Sequence, residues 1–455
     1  MSIEINEQFK AALDAMENTS GHIFLTGRAG TGKSTLLDHF RNNTKKKIVV
    51  LAPTGVAAIN VKGQTIHSFF GFKPDITVTK AKKSAQSNAD DVYKNLDAIV
   101  IDEISMVRAD LLDCVDQFMR IKGKTKHAAF GGVQMIMIGD LYQLPPVVTT
   151  HEKEMFSDFY ESPYFFSAKG WAQDQNLFNT ITDFDIACFQ LDTIYRQRDV
   201  QFISILNAIR DTTVTRPLLD ELNKRVNQLF EPGPKSGYIT LTTTNKNAAE
   251  INSEELAKRP GRECVFTGTI KGVMEDRDLP TDTVLRFKKG AQVMLLNNDP
   301  EGKWVNGSIG VIEDITNMKV NAVFGDEETD DTEENETEIL VRLENGNLVT
   351  VMRHKWDLFQ FSYDPTAGNI VSQAVASFTQ FPMKLAWAIT IHKSQGKTFE
   401  RVIVDMERGA FSPGQTYVAL SRCTSLEGLV LRQPIQKRFC WIDQHVTGFM
   451  QKMGL

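Results

Sequence analysis

The chain has 455 residues, of which 42% are hydrophobic and 24% charged, so it is too long for one core and two to four globular domains are expected. No apolar run could cross a bilayer, and the acidic Met1–Glu7 start has neither a signal-peptide core nor a basic transit segment. Cys114, Cys188, Cys264, Cys423 and Cys440 keep no metal-ligand or redox spacing. These features exclude a membrane partner and make the reducing cytoplasm the expected compartment.

The net charge of −6 leaves nucleic acid open as a partner, because it is unevenly placed. Asp326 to Glu338 holds nine acids and no base, and without it 51 basic side chains face 48 acidic ones. Such a block reads as a solvated loop.

In chain order, the apolar run His22–Thr26 predicts a strand, followed by Gly27-Arg-Ala29-Gly30-Thr31-Gly32-Lys33-Ser34 and a helix opening at Thr35. Strand, G-x-x-x-x-G-K-S, helix is the context a phosphate-binding loop requires. The glycines let backbone N–H groups turn inward, and the helix directs its positive end at an anion. Lys33 is placed to reach β- and γ-phosphates, and Ser34 to reach Mg²⁺. Further strands are expected at Lys47–Ala52, Ala98–Asp102 and Val133–Gly139, the βαβ alternation of a parallel sheet. The polar stretch Lys73–Asn95 interrupts it as a small insertion.

The strand ending in Asp102-Glu103 puts two carboxylates opposite the loop: Asp102 for the metal (through water) and Glu103 as general base. Gln143, in the Gly139-Asp-Leu-Tyr-Gln143-Leu-Pro-Pro exit loop, is suited to sensing the γ-phosphate. Asp199 caps a helix whose Phe202, Ile205, Leu206 and Ile209 form one apolar face. A second set of strands begins at Tyr238. Short alternating runs (Gln292–Leu296, Ser308–Asp314, Glu338–Leu343, Leu348–Met352) predict an antiparallel β module between about Arg286 and Asn369. Helix–strand alternation resumes from Pro382. Ser412-Pro413 is expected to start a helix carrying Gln415, Tyr417 and Arg422, with positions 415 and 422 on one face.

Thr65-Ile-His-Ser-Phe-Phe-Gly71, Ile101-Asp-Glu-Ile-Ser-Met106, Gly139–Pro146, Leu191-Asp-Thr-Ile-Tyr-Arg-Gln197, Thr244–Asn252, Thr390-Ile-His-Lys-Ser-Gln-Gly396 and Tyr417–Arg422 occur in that order. From about Asn6 to Thr424 the chain resembles the petite-integration-frequency (PIF) family of superfamily 1B DNA helicases, in a compact bacterial or phage form. The resemblance implies an α/β fold of two RecA-like P-loop cores with ATP between them. Residues 1–64 and 96–190 would form the first core, and 65–95 a small wedge-bearing insertion in it. Residues 191–285 and 375–455 would form the second core, with an SH3-like β insertion at 286–374.

By motif, Gln8 would read adenine. Lys33, Ser34, Thr35, Asp102, Glu103 and Gln143 would build one wall of an ATP–Mg²⁺ site, closed by Arg196 and Arg422 with Gly396 and Lys397 nearby. Single-stranded DNA would cross Pro53, Thr54, Gly55, His67, Ser68, Thr244, Asn245, Thr390, His392 and Lys393, contacts to backbone that tolerate any sequence. Phe69, Phe70 and Phe72 stand between core, stacking platform and wedge, with Phe69 placed in the core. The implied activity is ATP-dependent 5′→3′ unwinding of DNA, on single-stranded and forked DNA, with G-quadruplex and R-loop structures as further substrates. Protein partners stay open. A RecD-like subunit needing a nuclease partner and a nucleic-acid-dependent ATP switch are the alternatives.

Overall fold

In the computed structural model, residues 6–148, 152–171, 186–195, 199–233, 236–275, 279–318, 336–364, 366, 369–407 and 409–455 are described. The first core is a parallel sheet of β1 (His22–Gly27), β2 (Ile48–Ala52), β3 (Gln64–Thr65), β4 (Ala98–Ile101), β5 (Gln134–Ile138) and β6 (Ile186–Leu191). Its spatial order is β3-β2-β4-β5-β1-β6. The inner strands are buried on both faces, so Ile23-Phe-Leu25 and Ile99-Val-Ile101 read as continuous apolar runs instead of alternating. Helices α1 (Glu7–Asn18), α2 (Lys33–Asn43) and α3 (Gly55–Asn60) flank it. The edge strand β6 was not expected from the sequence.

The stretch expected as an insertion holds α4 (Ile66–Phe70) and α5 (Val78–Ser87), which pack on α6 (Ala109–Lys122). Phe69, Phe70 and Phe72 are all buried there against Tyr93 and Phe118, which makes the three of them core and removes them as a stacking surface. A short helix, α7 (Lys153–Ser157), follows β5.

The second core is a four-stranded parallel sheet. Its first strand is β7 (Ile239–Thr242), with α8 (Val200–Arg210), α9 (Arg216–Asn223) and α10 (Asn245–Ala257) around it. Asp199 caps α8 by accepting from the N–H of Phe202 at 3.0 Å, and the expected apolar face is buried.

A β region interrupts this core. It comprises β8 (Cys264–Thr267), β9 (Thr269–Lys271), β10 (Val284–Phe287), β11 (Gln292–Leu295), β12 (Ile309–Met318), β13 (Glu336–Leu343), β14 (Leu348–Val351), β15 (His354–Asp364), β16 (Asn369–Gln380) and β17 (Met383–Leu385). The antiparallel sheet β14-β13-β12-β11-β17 matches the expected alternating runs, and the β region extends beyond 286–374 at both ends. Most of the acidic block lies outside the described residues. The β15–β16 hairpin reaches the first core, where the N–H of Phe361 donates to Gln64 Oε1 at 3.2 Å and the Phe361 ring meets Phe69.

The chain then completes the second sheet with β18 (Ala388–Thr390), β19 (Val402–Asp405) and β20 (Leu429–Leu431), in the order β18-β7-β19-β20. Helix α11 (Gln415–Ser421) packs with α8 in the same apolar cluster. Its cap is Gly414, at φ 70°, which corrects the expected Ser412-Pro413 start. Helix α12 (Gln444–Lys452) departs from the sequence division too. It lies in a stretch assigned to the second core, yet Val446, Phe449 and Met450 bury into the first, with Phe449 stacked on Phe166 at 4.3 Å.

Candidate nucleotide cleft and strand-binding face

The loop between β1 and α2 is shaped by glycine where nothing else fits. A Cβ on Gly27 would stand 2.6 Å from Thr31 Oγ1 and 2.7 Å from the Leu191 carbonyl. Gly32 sits at φ 89° and leads into α2 with no side-chain cap, so no capping side chain occupies the helix's first N–H groups. Lys33 Nζ donates to the carbonyls of Gly27 (2.7 Å) and Arg28 (3.0 Å), which hold the ammonium over the loop. Ser34 and Thr35 are exposed beside it.

Asp102 follows β4, and its N–H donates to the Leu51 carbonyl at 2.9 Å. Burial, then the neighbouring Glu103 charge, push its carboxyl up to about 7, with Lys33 pulling the other way. Glu103 lies in the left-handed region, φ 51° and ψ 43°, unusual for a residue with a side chain. A strained backbone that aims a carboxylate beside a phosphate-type loop is the kind of outlier found at functional sites. Gln143 is buried, its Nε2 donating to Asp140 Oδ2 at 3.2 Å. Gln8 exchanges two hydrogen bonds with Asp192: Nε2 donates to Oδ2 at 2.7 Å, and Oε1 accepts from the Asp192 N–H at 3.1 Å. The phosphate loop, acidic pair and amide of the expected site therefore gather at the carboxyl ends of the first sheet. The donors fit the phosphates of a nucleotide, and Ser34 with Asp102 suits a Mg²⁺ ion held mainly by substrate oxygens.

The second core closes over this loop. The N–H of Ala29 donates to Tyr417 Oη at 3.2 Å, and Arg28 lies 4.0 Å from Asp211. A narrow cleft is lined by Arg28, Ala29, Leu206, Asn207, Tyr417 and Ser421. Arg196 lies outside the described residues; the N–H of Tyr195, just before it, donates to the Gly30 carbonyl at 2.9 Å.

Arg422 is buried at the end of α11. Its Nε donates to Val418 O at 3.0 Å, one terminal nitrogen reaches Ser394 O at 3.4 Å and Lys397 O at 3.3 Å, and the other donates to Ser421 Oγ at 2.9 Å. The guanidinium thus ties α11 to the Gly396 turn. The Lys397 ammonium donates instead to Asn306 Oδ1 of the β region at 2.6 Å, and burial pulls it down to about 8.

The remaining expected residues lie at or just after strand ends of both cores, 53–55 and 67–68 on the first and 244–245 and 390–393 on the second. Thr54 caps α3, Ser68 accepts from Gln64 Nε2 at 2.9 Å, and His67 precedes it on α4. Thr244 caps α10 ahead of Asn245, and Thr390 Oγ1 accepts from the Lys393 N–H at 3.2 Å. Lys393 is exposed, and burial lowers the pKa of His392. Pro53 and Gly55 flank Thr54 at the end of β2.

Sequence reading missed three residues here. Glu407 (φ 48°) accepts from Thr242 Oγ1 at 2.7 Å, Thr243 Oγ1 at 2.8 Å and Asn247 Nδ2 at 3.2 Å. Burial works upward on its carboxyl, but those donors outweigh it and hold the pKa below the ordinary value. Tyr417, expected on the helix after Ser412-Pro413 but given no role, proves to be the contact to the loop. Arg210 is buried 3.5 Å from Asp140 of the first core, over the Tyr142 ring at 3.8 Å. A signal for Arg210 existed: at i+8 and i+4 from Phe202 and Leu206, it places a charge on an apolar helix face, which demands a partner.

A family model described as PIF1-like helicase matches residues 1–218. The ATP-dependent DNA helicase Pif1 of Bdellovibrio bacteriovorus is 31% identical over 440 residues, covering 94% of this chain and 88% of its own. The chain spans about 60% of the length of the Emericella nidulans and Danio rerio relatives. Bacteroides sp Pif1 crystallised with ADP-AlF4 superposes with a TM-score of 0.83 at 32% identity, covering 99% of this chain and 97% of that one. The Bacteroides protein bound to ssDNA superposes at 0.64, with 32% identity and the same coverage. Likeness of this extent runs through both cores and the β region that interrupts the second, and the chain belongs to the PIF1-like helicase family.

Proposed function

We propose that the protein is an ATP-dependent DNA helicase that moves 5′→3′ on single-stranded DNA and unwinds duplex. The observation that carries this reading is the cleft itself. A phosphate-type loop, Asp102-Glu103 and Gln143 stand on one RecA-like core, α8 and α11 of another close over them, and hydroxyl- and amide-bearing strand ends span the seam. The kinship to ATP-dependent DNA helicases and to a protein crystallised with ssDNA supports it.

Lys33, the amides of Gly27, Gly30, Thr31 and Gly32, and Thr35 bind the phosphates, joined by the Ala29 amide once it leaves Tyr417, and Gln8 meets adenine once it releases Asp192. Ser34 and Asp102 hold Mg²⁺, which supplies charge neutralisation at the phosphate oxygens. Glu103 takes the proton from the attacking water, and Gln143 orients it. Arg196 and Arg422 act on charge developing in the transition state, Arg422 by exchanging backbone carbonyls for phosphate oxygens, with Gly396 and Lys397 forming the turn behind it.

Pro53, Thr54, Gly55, His67, Ser68, Thr244, Asn245, Thr390, His392 and Lys393 grip the DNA backbone. Closing of the cleft on ATP and reopening after hydrolysis then shift one grip relative to the other. Forked DNA, G-quadruplexes and R-loops are the substrates proposed, in the cytoplasm. The test uses purified protein, ATP with Mg²⁺, and duplexes bearing a 5′ or a 3′ single-stranded tail. Unwinding from the 5′ tail alone is expected. Unwinding from the 3′ tail alone overturns the polarity. None from either leaves a partner-dependent motor or an ATP switch.

A further inference from the structure

Phe411 is 63% exposed, in the loop between β19 and α11, where an apolar ring gains nothing from water. Its backbone is not loose. The N–H of Phe411 donates to Oε1 of the fully buried Gln415 at 3.0 Å, and three residues on, Gly414 donates to the Trp441 carbonyl at 3.1 Å. The ring is therefore held outward by a fixed base.

It stands beside the strand-binding face. The Phe411 and His392 rings are nearly parallel, 18° apart, with centroids separated by 6.5 Å. At that separation the rings are an offset parallel pair, and most of the Phe411 ring stays open to solvent. Exposed Lys393 follows His392 directly and offers a charge to the adjoining phosphate. Burial keeps His392 below its ordinary pKa, which leaves an uncharged aromatic face near pH 7.

The loop also lies where the cores meet. A Cβ on Gly414 would come within 2.4 Å of the Tyr142 carbonyl of the first core. Helix α11, which begins at Gln415, carries the Tyr417 contact to the phosphate loop.

We propose that Phe411, with the His392 ring beside it, is the platform on which an unstacked base of single-stranded DNA rests, at the seam between the two cores. The proposal rests on the reading of this face as the DNA track and adds a base contact to a set that otherwise meets backbone. Because α11 joins the platform to the nucleotide cleft, closing of the cleft moves a stacked base and not only a phosphate. Stacking of this kind is sequence-tolerant and worth roughly 5- to 150-fold in affinity per base.

The test measures binding of the full chain to a fluorescent single-stranded oligonucleotide by anisotropy, alongside the same strand with consecutive abasic sites. Wild-type protein is expected to bind the intact strand about tenfold more tightly than the abasic one. Phe411→Ala should lose that difference by weakening on the intact strand alone, and Phe411→Trp should restore it. A 2-aminopurine base placed along the strand should be quenched by wild type and Phe411→Trp and not by Phe411→Ala. Equal affinity of Phe411→Ala and wild type on the intact strand overturns the platform, and so does equal weakening on both strands, which marks a packing role. Failure of wild type to bind either strand refutes the DNA track itself.

Discussion

Asp102→Asn should make the nucleotide-free protein more stable at pH 8 while abolishing ATP turnover. The Asp102 carboxyl titrates at about 7 against an ordinary 3.8, because burial and the adjacent Glu103 disfavour its charge more than Lys33 favours it. A raised carboxyl pKa means that the native state holds its proton more tightly than the unfolded chain does. The sign follows: stability is fullest below about pH 4, falls as pH rises from there to about 7, and is lowest above 7. About three units at 1.36 kcal/mol each make the penalty on the order of 4 kcal/mol at pH 8. Asparagine keeps a carbonyl acceptor for the Glu103 N–H and cannot ionise. In a core of 150–250 residues that difference corresponds to roughly 8–16 °C in melting temperature. Thermal unfolding of both proteins by circular dichroism at pH 5, 6.5 and 8 reads it out, with the gap at pH 5 falling below half its value at pH 8. An equal or lower melting temperature for Asp102→Asn at pH 8, or a gap that ignores pH, would refute the electrostatic account of this site.

Lys33→Ala should lose ATP binding while still folding, with a small drop in melting temperature from the two loop hydrogen bonds it gives up, whereas Glu103→Gln should bind ATP normally and turn over roughly 10²–10⁴-fold more slowly. Equal loss of nucleotide affinity in both, measured by titration, would make Glu103 structural. Arg422→Ala should cut turnover by roughly 10²–10⁴, and because four hydrogen bonds anchor it, should also lower stability. Arg422→Lys should rescue poorly for want of the planar donor fork, and wild-type turnover in either variant would sink the closing-cleft reading. Arg210→Met and Asp140→Asn should each cost about 1–3 kcal/mol, because Arg210 keeps Asp211 and Asp140 keeps the Tyr142 N–H and Gln143 Nε2, while the double variant recovers part of that loss. Strictly additive losses in denaturant unfolding would show that the two residues do not act as a pair.

Local sequence determined the parts of this protein whose physics is local. The strand–glycine loop–helix at 22–43, the Asp199 cap with its apolar face, and the alternating runs of the antiparallel sheet were all legible. Backbone conformation and side-chain periodicity there depend on residues a few positions apart. The same holds for the Asp102-Glu103 pair, read from its position at the end of a buried-type strand. What only the tertiary structure decided involves residues far apart in the chain. Phe70 and Phe72 joined Phe69, read as core from the sequence, because α6 supplies Phe118 and the 93–95 turn supplies Tyr93. The β6 edge strand and α12 were invisible because their partners lie elsewhere: Ile186–Leu191 pairs with β1, and α12 buries Phe449 in a core begun more than 400 residues earlier. Arg422 kept its motif position, but its donors go to carbonyls of the turn at 394–397, contacts that no spacing encodes. Tyr417 over Ala29 and Arg210 on Asp140 exist only because two separately folded sheets meet along one seam, and Phe411 beside His392 only because β18 and β19 lie in one sheet. Packing across that seam is set by shape and charge summed over both cores, a quantity that no single stretch of sequence carries.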